Sequence, residues 1–190
     1  MFKCDPEVGS CTQVQFDTKG NVRDQDSKGT TIVHYKNYGW FGASLAIGDV
    51  IMVCAPRWRD NIEQIRNQLP LTHMSGICYE IGRVMDPIGV GKYALLSENM
   101  QNNWTQSYPP EFNDNGSYYN FLHGQMGMSV RPFDDGSSRL IIGAPGIGDG
   151  NGGVINFDLA AEIGREQFTA DRNHDYFGYD VMPGKFLGDG

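Results

Sequence analysis

Three segments of this chain repeat one frame, and that repeat limits the fold more than any other feature. The first is Tyr38–Pro56, YGWFGASLAIGDVIMVCAP. The second is His123–Pro145, HGQMGMSVRPFDDGSSRLIIGAP. The third is Asp175–Gly190, DYFGYDVMPGKFLGDG. Each opens on an apolar residue and glycine: Phe41-Gly42, Met126-Gly127 and Phe177-Gly178. The first two then run through an apolar stretch into Ala-Pro, at Cys54-Ala55-Pro56 and Gly143-Ala144-Pro145. A unit recurring in this way cannot bury its apolar face alone and must stack on its neighbours.

Within each repeat the pattern reads as strand. Ala43–Ile47 and Val50–Cys54 flank the turn signal Gly48-Asp49. Ile77–Val84 and Lys92–Ser97 complete a set of four strands. In the next repeat the strands are Gly127–Arg131, Arg139–Gly143, Val154–Phe157 and Gln167–Thr169, with a turn at Asp134-Asp135-Gly136. Leu159–Ile163 reads as a short helical turn. Proline after the second strand marks its exit, since it cannot donate to a ladder. Four-stranded antiparallel units in tandem are blades of a β-propeller. The 25 glycines spread along the 190 residues agree with many short strands and turns. Arg57–Gly76 breaks the order: it is polar, reads as a long loop with a short helix over Asn61–Leu69, and ends near Cys78. A Cys54–Cys78 bond would staple its ends.

The stretch LIIGAPGIGDGNGGVINFD, Leu140–Asp158, contains Gly148-x-Gly150-x-x-Gly153 and raises the possibility of a phosphate loop. In a dinucleotide site the last glycine opens a helix aimed at the pyrophosphate. Here Val154-Ile155-Asn156-Phe157 follows and reads as a strand, so the stretch is a turn between two strands. GGVINFD also echoes the opening MFKCD. The chain therefore reads as starting at the end of one repeat, crossing two whole repeats and stopping inside the next, with Met1 an internal methionine of a longer protein.

Charge and composition narrow the function classes. A net charge of −8 with no basic block argues against nucleic acid as partner. No apolar run is long enough to span a membrane, and the N-terminus is too polar for a signal peptide. The four cysteines fall as a close pair, Cys4 and Cys11, and a wider pair, Cys54 and Cys78, with no zinc-ligand spacing. Sequons at Asn103 and Asn115 favour, with the cysteines, a secreted context. His34, His73, His123 and His174 stand in no HExxH, GxSxG or Cys/His pattern, so no catalytic residues are assigned and the chain is expected not to be an enzyme.

The repeats, with WFGAS and the Cys-Ala-Pro strand end, resemble the FG-GAP repeats of integrin alpha chains over nearly the whole sequence. The resemblance implies an all-β fold, a partial seven-bladed β-propeller with about two complete blades and the ends of their neighbours. It implies one domain: 1–35 the end of a first repeat and a linker, 36–122 the second repeat, 123–172 the third, and 173–190 the start of a fourth. By analogy the disulfides are Cys4–Cys11 and Cys54–Cys78. Too few residues separate Cys78 and Gly124 for an inserted ligand-binding domain, which implies the class lacking one.

The resemblance further implies an adhesion receptor at the cell surface, pairing with an integrin beta subunit and binding an extracellular matrix protein. Contact with the membrane would come only through a C-terminal part of the parent. Trp40, Met128 and Tyr179 match positions of a collar that grips a basic side chain of the beta chain. Asp114, Tyr119, Asp149 and Asn173 are ligand-facing candidates, although their types do not follow the Arg-Gly-Asp-reading pattern in order. Calcium is expected in later repeats and not here, because Lys185 and Leu187 stand where oxygen ligands belong. The alternative is an FG-GAP propeller of another secreted protein, such as a hydrolase.

Overall fold

The computed structural model describes residues 2–25, 31–62, 72–82, 91–93, 123–133, 136–161, 163–169 and 175–184. These residues form an all-β, partial β-propeller. A first hairpin pairs β1 (Phe2–Asp5) with β2 (Ser10–Gln13). One blade, here A, is the antiparallel sheet β5 (Ser44–Ile47), β6 (Val50–Ala55), β9 (Ile77–Gly82) and β10 (Gly91–Tyr93). The next, blade B, is the meander β11 (Ser129–Pro132), β12 (Arg139–Ala144), β13 (Gly153–Asp158) and β14 (Ile163–Thr169). The strand expectations of the two central repeats are thus met, with ends shifted by a few residues. The expected strands at 83–84 and 94–97 lie outside the described residues.

The central strands of both blades are largely buried on two faces, which is why they read as apolar runs instead of alternating ones. The face of blade A carrying Ala46, Met52, Cys54 and Cys78 packs on Val130, Leu140, Ile142, Ile155 and Phe157 of blade B. The opposite face of blade A, Ile51, Val53, Ala55, Tyr79 and Ile81, is covered by Val14, Phe16 and Trp58. Tyr93 spans the two blades, with its ring centroid 4.8 Å from that of Phe157 and its hydroxyl donating to Glu80 at 2.6 Å.

Three local expectations need correction. The segment 57–76 is not simply a loop. β8 (Thr72–His73) pairs with β7 (Arg59–Ile62), β7 with β4 (Thr31–Tyr35), and β4 with β3 (Val22–Gln25). Asn61 and Ile62, expected in a helix, lie in β7; positions 63–71 are outside the described residues. This added sheet joins two linkers far apart in sequence, and pairing of that kind leaves no local signature. Leu159–Ala161 is a turn and not a helix: the Asp158 carboxylate accepts from the amides of Ala160 and Ala161, and Ile163 begins β14. Third, the glycine stretch is more than a plain turn: a single helical turn, α1 (Ile147–Gly150), precedes β13. Val154–Phe157 lies in strand as expected, so no helix follows Gly153 to face a phosphate.

Asp17 ties the N-terminal segment to blade A. Its Oδ2 accepts from Lys36 Nζ at 2.8 Å and Lys92 Nζ at 2.9 Å, and its Oδ1 from the Lys19 amide at 3.0 Å. Burial by itself would raise this carboxyl; the hydrogen bonds from Lys36, Lys92 and Lys19 outweigh it and hold the pKa at about 2, from 3.8. The neighbouring Tyr79 hydroxyl is pushed above its usual range by burial and then by the Asp17 charge. Because the folded pKa of Asp17 is depressed, the stability it contributes, about 2 kcal/mol, is present above pH ~4 and is lost as pH falls toward 2. Asp17→Asn should lower stability at neutral pH, and the gap to wild type should close near pH 2 in acid-melting experiments.

Candidate functional site at the repeat-opening turns

The turn that opens each repeat is built in one backbone shape. Trp40, Gln125 and Tyr176 all have positive φ, at 59°, 53° and 50°, and the glycines two residues on have φ 90°, 87° and 85°. In each turn the amide three residues ahead closes back: Ala43 to the Trp40 carbonyl, Met128 to that of Gln125, Tyr179 to that of Tyr176. This pattern fixes the equivalences. Trp40 corresponds to Gln125 and Tyr176, whereas Met128 and Tyr179 correspond to Ala43. The three collar candidates therefore come from two different positions of the turn.

The second and third turns dock on the preceding blade through backbone groups. Gln125 and Met126 donate to the carbonyls of Met74 and Ser75; Tyr176 and Phe177 donate to those of Gly150 and Asn151. A serine adds a second link at matching positions. Ser44 Oγ donates to the Gly127 carbonyl at 2.6 Å, and Ser129 Oγ to that of Gly178 at 3.2 Å. Both contacts are buried, where a neutral hydrogen bond of this kind contributes about 1 kcal/mol. The serine recurs two residues after Gly42 and Gly127, a signal visible in the sequence but not used; Asp180 takes that place in the third repeat. The turns leave large side chains outside. Tyr38 is 85% exposed, Trp40 54%, Tyr176 53% and Tyr179 64%. Met128 is half-buried and Met126, the counterpart of Phe41, is fully buried. Non-glycine residues in the left-handed region cost energy, and such positions concentrate at functional surfaces.

Arg57 is the residue that sequence reasoning missed. It follows Pro56 at the exit of β6, and its amide donates to the Gly39 carbonyl at 3.0 Å. Its guanidinium carbon stands 4.6 Å from the centroid of the Trp40 ring. A second cation on the opposite ring face would stand roughly 9 Å from it, where two unit charges near a protein surface repel by about 2 kcal/mol. An exposed cation–π contact returns only about 0.5–1 kcal/mol, so the Trp40 ring is a poor seat for another cation while Arg57 is there.

The remaining sites divide by position. Cys4–Cys11 joins the exposed first hairpin, and Cys54–Cys78 joins β6 to β9 inside the core, so both disulfides form. Asp149 lies in α1, between the two central strands of blade B. Asp114, Tyr119, Asn173, Asn103 and Asn115 lie outside the described residues, as do Lys185 and Leu187. Among the described residues no group of three or more His, Cys, Asp or Glu side chains is placed to hold a metal ion.

No protein-family model matches the chain. Individual relatives do. Integrin alpha-PS3 of Drosophila melanogaster is 28% identical over 166 residues, 82% of this chain and 13% of that protein. Integrin alpha-PS2 of the same organism is 32% identical over 149 residues, 77% of this chain and 9% of that protein. Human integrin alpha-8 is 25% identical over 205 residues, 97% of this chain and 17% of that protein. This chain is a relative of the integrin alpha chains. It spans less than a fifth of the length of each of these three relatives. The repeated turns, the inter-blade hydrogen bonds and the two disulfides are thus features of an integrin-alpha-like propeller.

Proposed function

We propose that this chain is part of the ligand-binding head of an integrin-type alpha subunit, a non-catalytic adhesion receptor on the extracellular side of the plasma membrane. In this reading it belongs to the class without an inserted domain. It pairs with a beta subunit and contributes to binding an extracellular matrix protein. The observation that carries the reading is the likeness to integrin alpha-PS2 and alpha-PS3 across both blades, in a chain whose repeat turns present aromatic side chains to solvent. Trp40, Met128 and Tyr179 are the proposed beta-chain contacts, with Tyr119, Asp114, Asp149 and Asn173 facing the matrix ligand. Asn103 and Asn115 carry glycans in this scheme, and calcium binds in other repeats of the longer protein.

The test is co-purification from cells expressing the full-length parent chain. A beta chain should co-purify, and Trp40→Ala combined with Tyr179→Ala should reduce its recovery at least tenfold with surface expression kept. Both residues are more than half exposed, so the substitutions should leave folding nearly unchanged. Recovery of no beta chain from the wild type would overturn the receptor reading in favour of a propeller from another extracellular protein.

A further inference from the structure

Arg57 has five N–H donors in a planar fork, is half-buried, and makes no side-chain hydrogen bond or ion pair among the described residues. Its guanidinium lies over the ring of Trp40, whose backbone is left-handed and accepts the Ala43 amide. Tyr38, also at positive φ and 85% exposed, flanks the same turn. The equivalent of Arg57 in blade B is Gly146, since both amides donate to matching carbonyls, of Gly39 and Gly124. The unpaired arginine is therefore a property of this one repeat and not of the propeller frame.

We propose that Trp40 and Arg57 together form a docking site for a carboxylate side chain, Asp or Glu, of a protein partner. The guanidinium carbon stands 4.6 Å from the indole centroid, and the fork's N–H donors have no partner among the described residues, which leaves them for a bidentate carboxylate. The indole beside it packs the aliphatic stem of a glutamate. A basic side chain is disfavoured at the same place, because Arg57 already occupies one face of the ring and repels a second cation. The chain's net charge of −8 opposes non-specific binding of acids, so an acidic partner would be captured by this local fork and not by the overall field. The inference rests on the receptor reading only for who the partner is. It changes the role of Trp40 from gripping a cation to positioning one of the chain's own.

The experiment uses the intact receptor chain labelled with 5-fluorotryptophan, followed by fluorine NMR at physiological salt. The Trp40 resonance is assigned with Trp40→Phe, and the resonance of the buried Trp58, assigned with Trp58→Phe, reports on the fold. Hexaglutamate peptide should shift the Trp40 resonance with millimolar saturation, and hexalysine should not. Arg57→Gln should abolish the shift, and Arg57→Lys, which keeps the charge but loses the fork, should weaken it several-fold. A Trp40 shift with hexalysine instead, no shift with either peptide, or a glutamate shift that survives Arg57→Gln would each overturn the proposal. Failure of the receptor reading is separate: it shows as no beta chain in the co-purification while the glutamate-dependent shift remains.

Discussion

Gly127→Ala should destabilise the fold by about 2–5 kcal/mol, whereas Gly42→Ala at the equivalent position should cost only about 1–2 kcal/mol. Both glycines have φ near 90°, so both substitutions carry the same left-handed strain. They differ in what a Cβ would meet. At Gly42 there is nothing within 4 Å. At Gly127 a Cβ would overlap the Cys54 Cβ and stand 3.0 Å from both sulfurs of the Cys54–Cys78 bond. These atoms are buried between blades and held by a disulfide, so they cannot give way. The difference between the two variants in urea or thermal unfolding therefore isolates the docking of one repeat on the next. Equal losses for the two would show that the turn does not seat on the disulfide as described.

Replacing both Cys54 and Cys78 by serine should cost about 3–4 kcal/mol, the larger disulfide effect in this chain. The bond closes a loop with a sequence separation of 24, for which the chain-entropy relation gives about 3.5 kcal/mol. Serine hydroxyls would also be left in a site where both cysteines are fully buried. Cys4–Cys11 has a separation of 7 and lies in a hairpin whose residues are all exposed, so its loss should loosen that hairpin and leave the blades intact. Mild reductant followed by alkylation and mass analysis should open Cys4–Cys11 first. Cys54–Cys78 should react only under conditions that unfold the blades. Simultaneous reaction of both bonds under native conditions would contradict the burial of the inner one.

The blade strands were legible because their signals are local. Alternating and continuous apolar runs, turn pairs and the Ala-Pro exits mark β5, β6, β11, β12 and β13 without knowledge of any partner. The order of the repeats follows from the recurring glycine, and its reason is steric: Gly127 and Gly178 lie where any side chain would strike the preceding blade. The added sheet was not legible. β4 pairs with β7 across a gap that includes two strands of blade A, and nothing in the sequence of Arg59–Ile62 distinguishes an edge-paired strand from a polar loop. Asp17 gave no signal either, since Lys36 and Lys92 come to it from segments 19 and 75 residues away.

The sequence by itself determined the all-β repeat, the kinship with integrin alpha chains, the cysteine pairs by analogy, and the absence of a phosphate-binding helix after Gly153. Periodicity, glycine placement and proline exits are written along the backbone, one residue after another. Only the tertiary structure decided that Ser44 and Ser129 bond one repeat to the next, and that Arg57 covers the Trp40 ring. Those outcomes depend on which side chains meet across the fold, and 17 positions separate Arg57 from Trp40 as the chain runs out along β5 and back along β6.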